Sequence, residues 1–516
     1  MTAASGANRV DIDQLTLDDV PRVARGHLGV VVGEPALARV RAGRAHVEAL
    51  AASPRPAYGV STGFGALATV SIPAGRRVDL QRSLTRSHAA GSGPLVEAEV
   101  VRAMMLLRLH TLCSGRTGVR PEVVQSLADL LDAGLVPTVH EHGSLGCSGD
   151  LAPLAHVAIV LQGEGDVVDA SGRRTHASAA LAGVGLAPIT LAEKEGLALT
   201  NGTDGMLAML ILAITDLTDL LRVADITTAM SVEALLGTDR AFAADLIGMR
   251  PHPGQAASAA NLRQLLAGSA IVASHRADTT HLVQDAYSLR CAPQVAGAAR
   301  DALEFARTVA AREMAAAIDN PVVTPDGRVE SNGNFHGAPV AHALDFLAIP
   351  IADVASISER RTDRLLDRTR NQGLPPFLAH EVGVDSGYMI AQYTAAGIVA
   401  ELKRLAVPAS VDSIPSSAMQ EDHVSMGWAA GLKLRRALAG LRQVLAVELV
   451  AAARALDLRA PLAPAPGTAA ALAALREVVA GPGPDRIVAD ELARADALIG
   501  RGTLLNAVTR ACGPMQ

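Results

Sequence analysis

The sequence predicts a mainly α fold, a central bundle of long antiparallel helices with a smaller mixed region at the N-terminus. Three observations predict it. Hydrophobic residues make up 49% of the 516-residue chain while aromatics make up only 2%, so the interior is built from Ala, Leu, Val and Ile, which favour closely packed helices. Apolar residues recur at helical spacing over long stretches of the second half. The segments between them are short and glycine-punctuated, poor material for either a helix interior or a strand.

Residues 1 to 50 read as a short strand-and-turn opening followed by a helix from Glu34 to Ala52. The loop Tyr58-Gly59-Val60-Ser61-Thr62-Gly63-Phe64-Gly65 follows, and then Ser87-His88-Ala89-Ala90-Gly91. Helical patterns run from Glu97 to Cys113 and from Pro121 to Leu135, with Pro121 suited to a first turn. After Gly143 to His156, GSLGCSGDLAPLAH, the stretch Leu151 to Gln162 reads as a buried helix. Residues 163 to 190 form a Gly/Asp-rich surface turn or hairpin, and an apolar helix spans Met206 to Met230. Long Ala/Leu-rich helices are expected from Pro339 to Arg370, Ser386 to Arg404 and His423 to Arg454, the last two as antiparallel neighbours. Past Leu456 the composition turns to Ala, Pro and Gly. The expected division is therefore an N-terminal region, 1–200, a long-helix bundle, 201–456, and a peripheral helical tail, 457–516.

Composition excludes several classes of function. A net charge of -6, with 46 basic and 52 acidic residues interspersed, offers no basic stripe to nucleic acid. Cys113, Cys147, Cys291 and Cys512 are widely spaced and lack the pairing of a metal site, so no metal and no disulfide framework are expected. The N-terminus is polar and acidic, unlike a signal peptide. The longest apolar run, Gly205 to Ile214, is too short to span a bilayer. These features read as a cytoplasmic protein with free thiols, no membrane partner and a small soluble substrate.

The chemistry centres on Cys147-Ser148-Gly149. Gly149 has no β-carbon, so its amide nitrogen can be pressed against the carbonyl carbon of Cys147 to close a five-membered ring from the backbone itself. Loss of the Ser148 hydroxyl as water would then leave an exocyclic methylidene, a strongly electron-poor carbon. A helix starting just beyond presents unpaired amides that favour such an electrophile. Two tyrosines, Tyr58 in its glycine-rich loop and Tyr287, are candidates for a proton acceptor. In Gln284-Asp285-Ala286-Tyr287-Ser288-Leu289-Arg290, the pair Tyr287 and Arg290 shares one face of a helical turn. Arg290 suits a carboxylate, which its guanidinium grips with two parallel hydrogen bonds.

These motifs resemble those of the aromatic amino acid ammonia-lyases, which build 4-methylideneimidazol-5-one (MIO) from such a tripeptide. Most members carry alanine where this chain has Cys147, a residue that contributes only backbone atoms to the ring. The resemblance extends from Tyr58 to Glu421. It implies that the Tyr58 loop is a lid bearing a candidate base, that Asn201 contacts the prosthetic group and the substrate amino group, and that Phe335 flanks the ring. It places His88, Gln284, Arg290 and Glu421 on the substrate. Histidine-specific members resemble Ser87-His88 and have glutamate at the position of Glu421, where phenylalanine and tyrosine lyases have glutamine. Met419 departs from the asparagine that relatives often have.

The reaction so implied is elimination of ammonia from L-histidine to give trans-urocanate, in a homotetramer whose subunits share active sites. Which tyrosine takes the β-proton stays open. Tyrosine or phenylalanine ammonia-lyase and aminomutase chemistry is the neighbouring alternative. A non-catalytic helical scaffold is the remaining one, and it has no use for Cys147-Ser148-Gly149.

Overall fold

Long helices dominate the chain because Ala and Leu fill their buried faces. The computed structural model describes residues 8–54, 56–277 and 283–516, and 59% of it is helical. The mainly α expectation is borne out, with few and short strands. The principal helices are Glu34–Ala52, Ala98–Cys113, Asp204–Ala234, Ala292–Met314, Ala338–Leu366, Met389–Leu405 and Gly427–Asp457.

Contacts group the chain into two units, each assembled from three segments. The first comprises Met1–Thr215, Arg307–Asp345 and Pro408–Leu432; the second comprises Asp216–Ala306, Phe346–Val407 and Lys433–Gln516. The sequence reading drew boundaries at 200 and 456, and the contact units run across both. Four long helices, Asp204–Ala234, Ala292–Met314, Ala338–Leu366 and Gly427–Asp457, contribute residues to each unit.

The first unit carries the strands described here. Arg9–Asp11 pairs in parallel with Gly29–Val31, and Ser92–Leu95 pairs antiparallel with His140–His142. The expected surface hairpin is Asp166–Val168 with Arg174–His176, joined on its other edge by Val136–Pro137. Around them the core is aliphatic. The single tryptophan, Trp428, is 2% exposed and satisfies its indole N–H on the carbonyl of Glu141 at 2.7 Å, as a buried indole must.

In the second unit, Met389–Leu405 and Gly427–Asp457 are the expected antiparallel neighbours. Lys433 Nζ reaches the carbonyl of Val407, and further along Gly440 lies where a β-carbon would come within 2.8 Å of Leu402 Cδ2. Glycine there lets the two helices approach closely. The C-terminal helices dock on the same element through Arg476–Asp457 and Arg442–Asp496 ion pairs. Among the described residues one helix, Ala338–Leu366, is long and apolar enough to cross a membrane, more so than the Gly205–Ile214 run singled out from sequence, and 61% of its apolar window is buried in protein. Interspersed charges hid it from a search for unbroken apolar runs.

Candidate active site

The Gly143–Gly149 turn is held by segments far away in sequence. The carbonyl of Gly146 accepts from Ser425 Oγ at 2.7 Å and from the amide of Gly337 at 3.2 Å, and the Met426 amide donates to Leu145 at 2.8 Å. Gly146 has φ +66° and Gly149 φ +77°, the left-handed region that glycine enters without steric cost. At Gly149 the requirement is doubled, since a β-carbon would stand 2.1 Å from the carbonyl oxygen of Gly202. The tripeptide is thereby pressed against the Asn201-Gly202-Thr203 turn.

Asp150 occupies the first position before the Leu151–Leu161 helix, yet its side chain does not cap that helix. It accepts instead from the amides of Gly205 and Met206, both at 2.9 Å, at the start of Asp204–Ala234. Its other oxygen takes Ser144 Oγ at 2.9 Å. Burial raises the Asp150 carboxyl to about 7, against the lowering effect of those hydrogen bonds. Two helix starts are thus tied together beside the tripeptide, one by position and one by side chain.

Glu421 brings the carboxylate. It sits 274 residues beyond Cys147, whose Sγ donates to Glu421 Oε2 at 3.1 Å, while Ser148 Oγ donates to Oε1 at 3.3 Å. A tight loop positions it. Ser416 and Glu421 exchange backbone hydrogen bonds, and between them Ser417, Ala418 and Met419 all have positive φ, +51°, +53° and +69°. Such a run costs energy for residues with a β-carbon and is tolerated where the flanking bridge fixes the ends. Met419 is 68% exposed and contributes backbone shape here. Burial, and then the hydrogen bond and charge of Glu421, push the Cys147 thiol up to about 12, so it is a protonated donor.

His88 ends the Arg77–His88 helix. Its Nδ1 lies 2.9 Å from the carbonyl of Leu84, an obligate acceptor, so Nδ1 carries the hydrogen and Nε2 is left as an acceptor. Burial lowers the His88 pKa, opposed by the Leu84 hydrogen bond and by Glu421, whose charge reaches the ring. Asn201 is 4% exposed and closes the Glu195–Thr200 helix; its Nδ2 donates to the carbonyl of Asn320 at 2.9 Å. Its own carbonyl accepts from buried Arg108 at 2.7 Å. The Tyr58 hydroxyl accepts from the amide of Gly65 at 3.2 Å, and a β-carbon on Gly65 would lie 3.3 Å from Ser417 Oγ, so the Tyr58 loop meets the Glu421 loop. Phe335 is half-buried in the loop that ends at Gly337, and the adjacent His336 stacks on His423 at 5.7 Å.

The structure therefore brings Tyr58, His88, Cys147, Ser148, Gly149, Asn201, Phe335 and Glu421 into one unit. Gln284, Tyr287 and Arg290 belong to the other. There, Tyr287 and Arg290 do share a face of the short Tyr287–Arg290 helix, with the guanidinium 4.6 Å over the phenol ring. Tyr287 is 71% exposed, and the buried Nε of Arg290 has no hydrogen-bond partner among the described residues. Sequence reasoning missed Gly202, Asp150 as an inter-helix tie, and Ser416. Only Gly202 left a local signal, as the glycine after Asn201.

A helical chain that presses a Ser-Gly dipeptide into a tight glycine-built turn beside a carboxylate has the makings of a carbon–nitrogen lyase, and comparison with known proteins gives that class. The chain belongs to the aromatic amino acid lyase family, which it matches over residues 15–477. It is 62% identical to the histidine ammonia-lyase of Streptomyces coelicolor over 97% of this chain and 98% of that protein. Among solved structures it resembles histidine ammonia-lyase from Trypanosoma cruzi, with TM-score 0.89 and 36% identity over 98% of this chain and 95% of that one. It also resembles tyrosine aminomutase from Streptomyces globisporus, with TM-score 0.93 and 38% identity over 98% and 99%.

Proposed function

We propose that this protein eliminates ammonia from L-histidine to give trans-urocanate, using an MIO group formed from Cys147, Ser148 and Gly149. The observation that carries the reading is the Glu421 carboxylate, within hydrogen-bond distance of both Cys147 and Ser148. The tripeptide suits the group: Gly149 stands where no β-carbon fits, against the backbone of Gly202, with a left-handed φ. Ring closure of Gly149 N on the Cys147 carbonyl carbon expels one water. Departure of Ser148 Oγ with the Cα hydrogen expels a second. The group supplies an electrophile for the substrate's amino nitrogen.

The chain's own residues do the rest. Asn201 orients the amino group, and Phe335 flanks the site. Arg290 would grip the carboxylate and Gln284 assist it, from the exposed segment that also bears Tyr287; a homotetramer with shared sites is the arrangement we infer for them. Tyr58 and Tyr287 remain the two bases proposed for the β-hydrogen. His88 Nε2 and Glu421 are two acceptors, which match the two N–H groups of a protonated imidazole; a neutral imidazole pairs with one of them. A phenylalanine ring offers none, and binding it would leave both acceptors unpaired at a cost. The protein would work in the cytoplasm, where its four unpaired cysteines stay reduced.

Tyrosine chemistry is the second reading, favoured by the likeness to tyrosine aminomutase. Separate incubation with L-histidine, L-tyrosine and L-phenylalanine, followed in the near ultraviolet for each acrylate, decides between them. Histidine alone is expected to react. In Ser148→Ala, activity should be lost and the intact mass should not show the loss of the second water; full activity in that variant would overturn the mechanism.

A further inference from the structure

Glu421 is held unequally at its two oxygens, and the inequality suggests what Cys147 is for. Oε2 accepts from two donors, Cys147 Sγ at 3.1 Å and Ser416 Oγ at 3.2 Å. Oε1 has one side-chain donor, Ser148 Oγ at 3.3 Å. Ser148 is the residue whose hydroxyl leaves as water when the prosthetic group forms. We infer that Cys147 and Ser416 clamp Oε2 as positioning residues, and that loss of the Ser148 hydroxyl frees Oε1 to accept the N–H of the substrate's imidazole. The inference rests on the function proposed above and extends it to the side chain of Cys147.

Three features support the clamp. Cys147 is 7% exposed, so its thiol has no competing water on most of its surface, and it stays protonated well above neutral pH and hence a donor. Ser416 is bound to Glu421 through the backbone in both directions, so its hydroxyl is fixed relative to the carboxylate. The left-handed run at Ser417, Ala418 and Met419 returns the chain sharply enough for both contacts to be made. A carboxylate whose rotamer is set in advance loses less entropy on binding. An alanine at position 147 would leave Oε2 with the Ser416 hydroxyl as its remaining side-chain donor.

The test separates this inference from the reading beneath it by using binding in a chain that cannot form the methylidene. Full-length Ser148→Ala lacks the Oγ donor and so has Oε1 free. Urocanate titrated calorimetrically onto it should bind. Adding Cys147→Ala should weaken that affinity about three- to tenfold, the range of one modest net hydrogen bond. Adding Cys147→Ser, which restores a donor, should recover it to within about twofold. Adding Ser416→Ala should weaken binding to a similar degree as Cys147→Ala, and circular dichroism should be unchanged in all variants. Equal affinities with Cys, Ser and Ala at 147 overturn the clamp and leave the histidine reading standing. No urocanate binding by folded Ser148→Ala overturns the imidazole pocket and the clamp together.

Discussion

A proton placed on His156 would break the contact that sets the backbone just after His88. Its Nε2 accepts the amide hydrogen of Gly91 at 3.1 Å, and the ring of His140 stands edge-on at 5.5 Å. Burial, and then the neighbouring His140, lower His156 from 6.5 to about 4. The unfolded chain therefore binds a proton that the folded chain refuses over that interval. Stability is full above pH 6.5, declines as pH falls from 6.5 towards 4, and levels off below. Melting temperature followed from about pH 7.5 to about pH 4 should show a decline that is shallower in His156→Gln, which cannot titrate; equal slopes would remove His156 as its source. The same scale bears on the acceptor role proposed for His88, whose Nδ1 hydrogen is committed to Leu84.

At the scale of elements, the long helices of the second unit are joined by one buried carboxylate. Glu448, on Gly427–Asp457, accepts from Thr227 at 2.9 Å and Ser231 at 2.7 Å on one neighbour, and from Ser358 at 2.6 Å on another. Arg361 completes the set through Nε and Nη2 at 2.5 and 2.9 Å, itself 1% exposed. Both carboxylate oxygens are satisfied and the charge is matched, which is the condition for a buried ion to be tolerated. Removing the partner leaves the charge uncompensated. Arg361→Ala is expected to cost roughly 3–5 kcal/mol in denaturant unfolding. Arg361→Met with Glu448→Leu, which removes both charges and keeps apolar volume, should cost much less. A single substitution as mild as the double one would show that the helices do not depend on this hub.

For the whole molecule, what could be read from the sequence divides along the range of the forces involved. Helix positions were legible, Glu34–Ala52 to the residue and Gly427–Asp457 within four, because they depend on periodic Ala and Leu and on nearby punctuation. The tripeptide proposed to form the ring was legible too, since the closure needs a glycine at position 149. What could not be read is long-range pairing. Nothing beside Asp150 announces that it serves the amides of Gly205 and Met206, and nothing beside Lys194 announces the fully buried ion pair with Asp319. The carboxylate at position 421 could be assigned to substrate by resemblance, but its grip on Cys147 required the fold. The contact units likewise gather segments that a boundary drawn along the chain separates.

The turn around Gly146 has a consequence for the order of events as the protein is made. Its carbonyl is held by Ser425, 279 residues downstream, and Gly149 is confined by Gly202. A ribosome must therefore deliver most of the chain before the tripeptide is squeezed into shape, so the proposed prosthetic group is expected to form only after the chain is nearly finished. Nascent chains stalled before Ser425 should keep their full mass, and the loss of two waters should begin once the segment carrying Ser425 and Met426 is released. Weight, read by mass spectrometry, then dates the folding of each molecule.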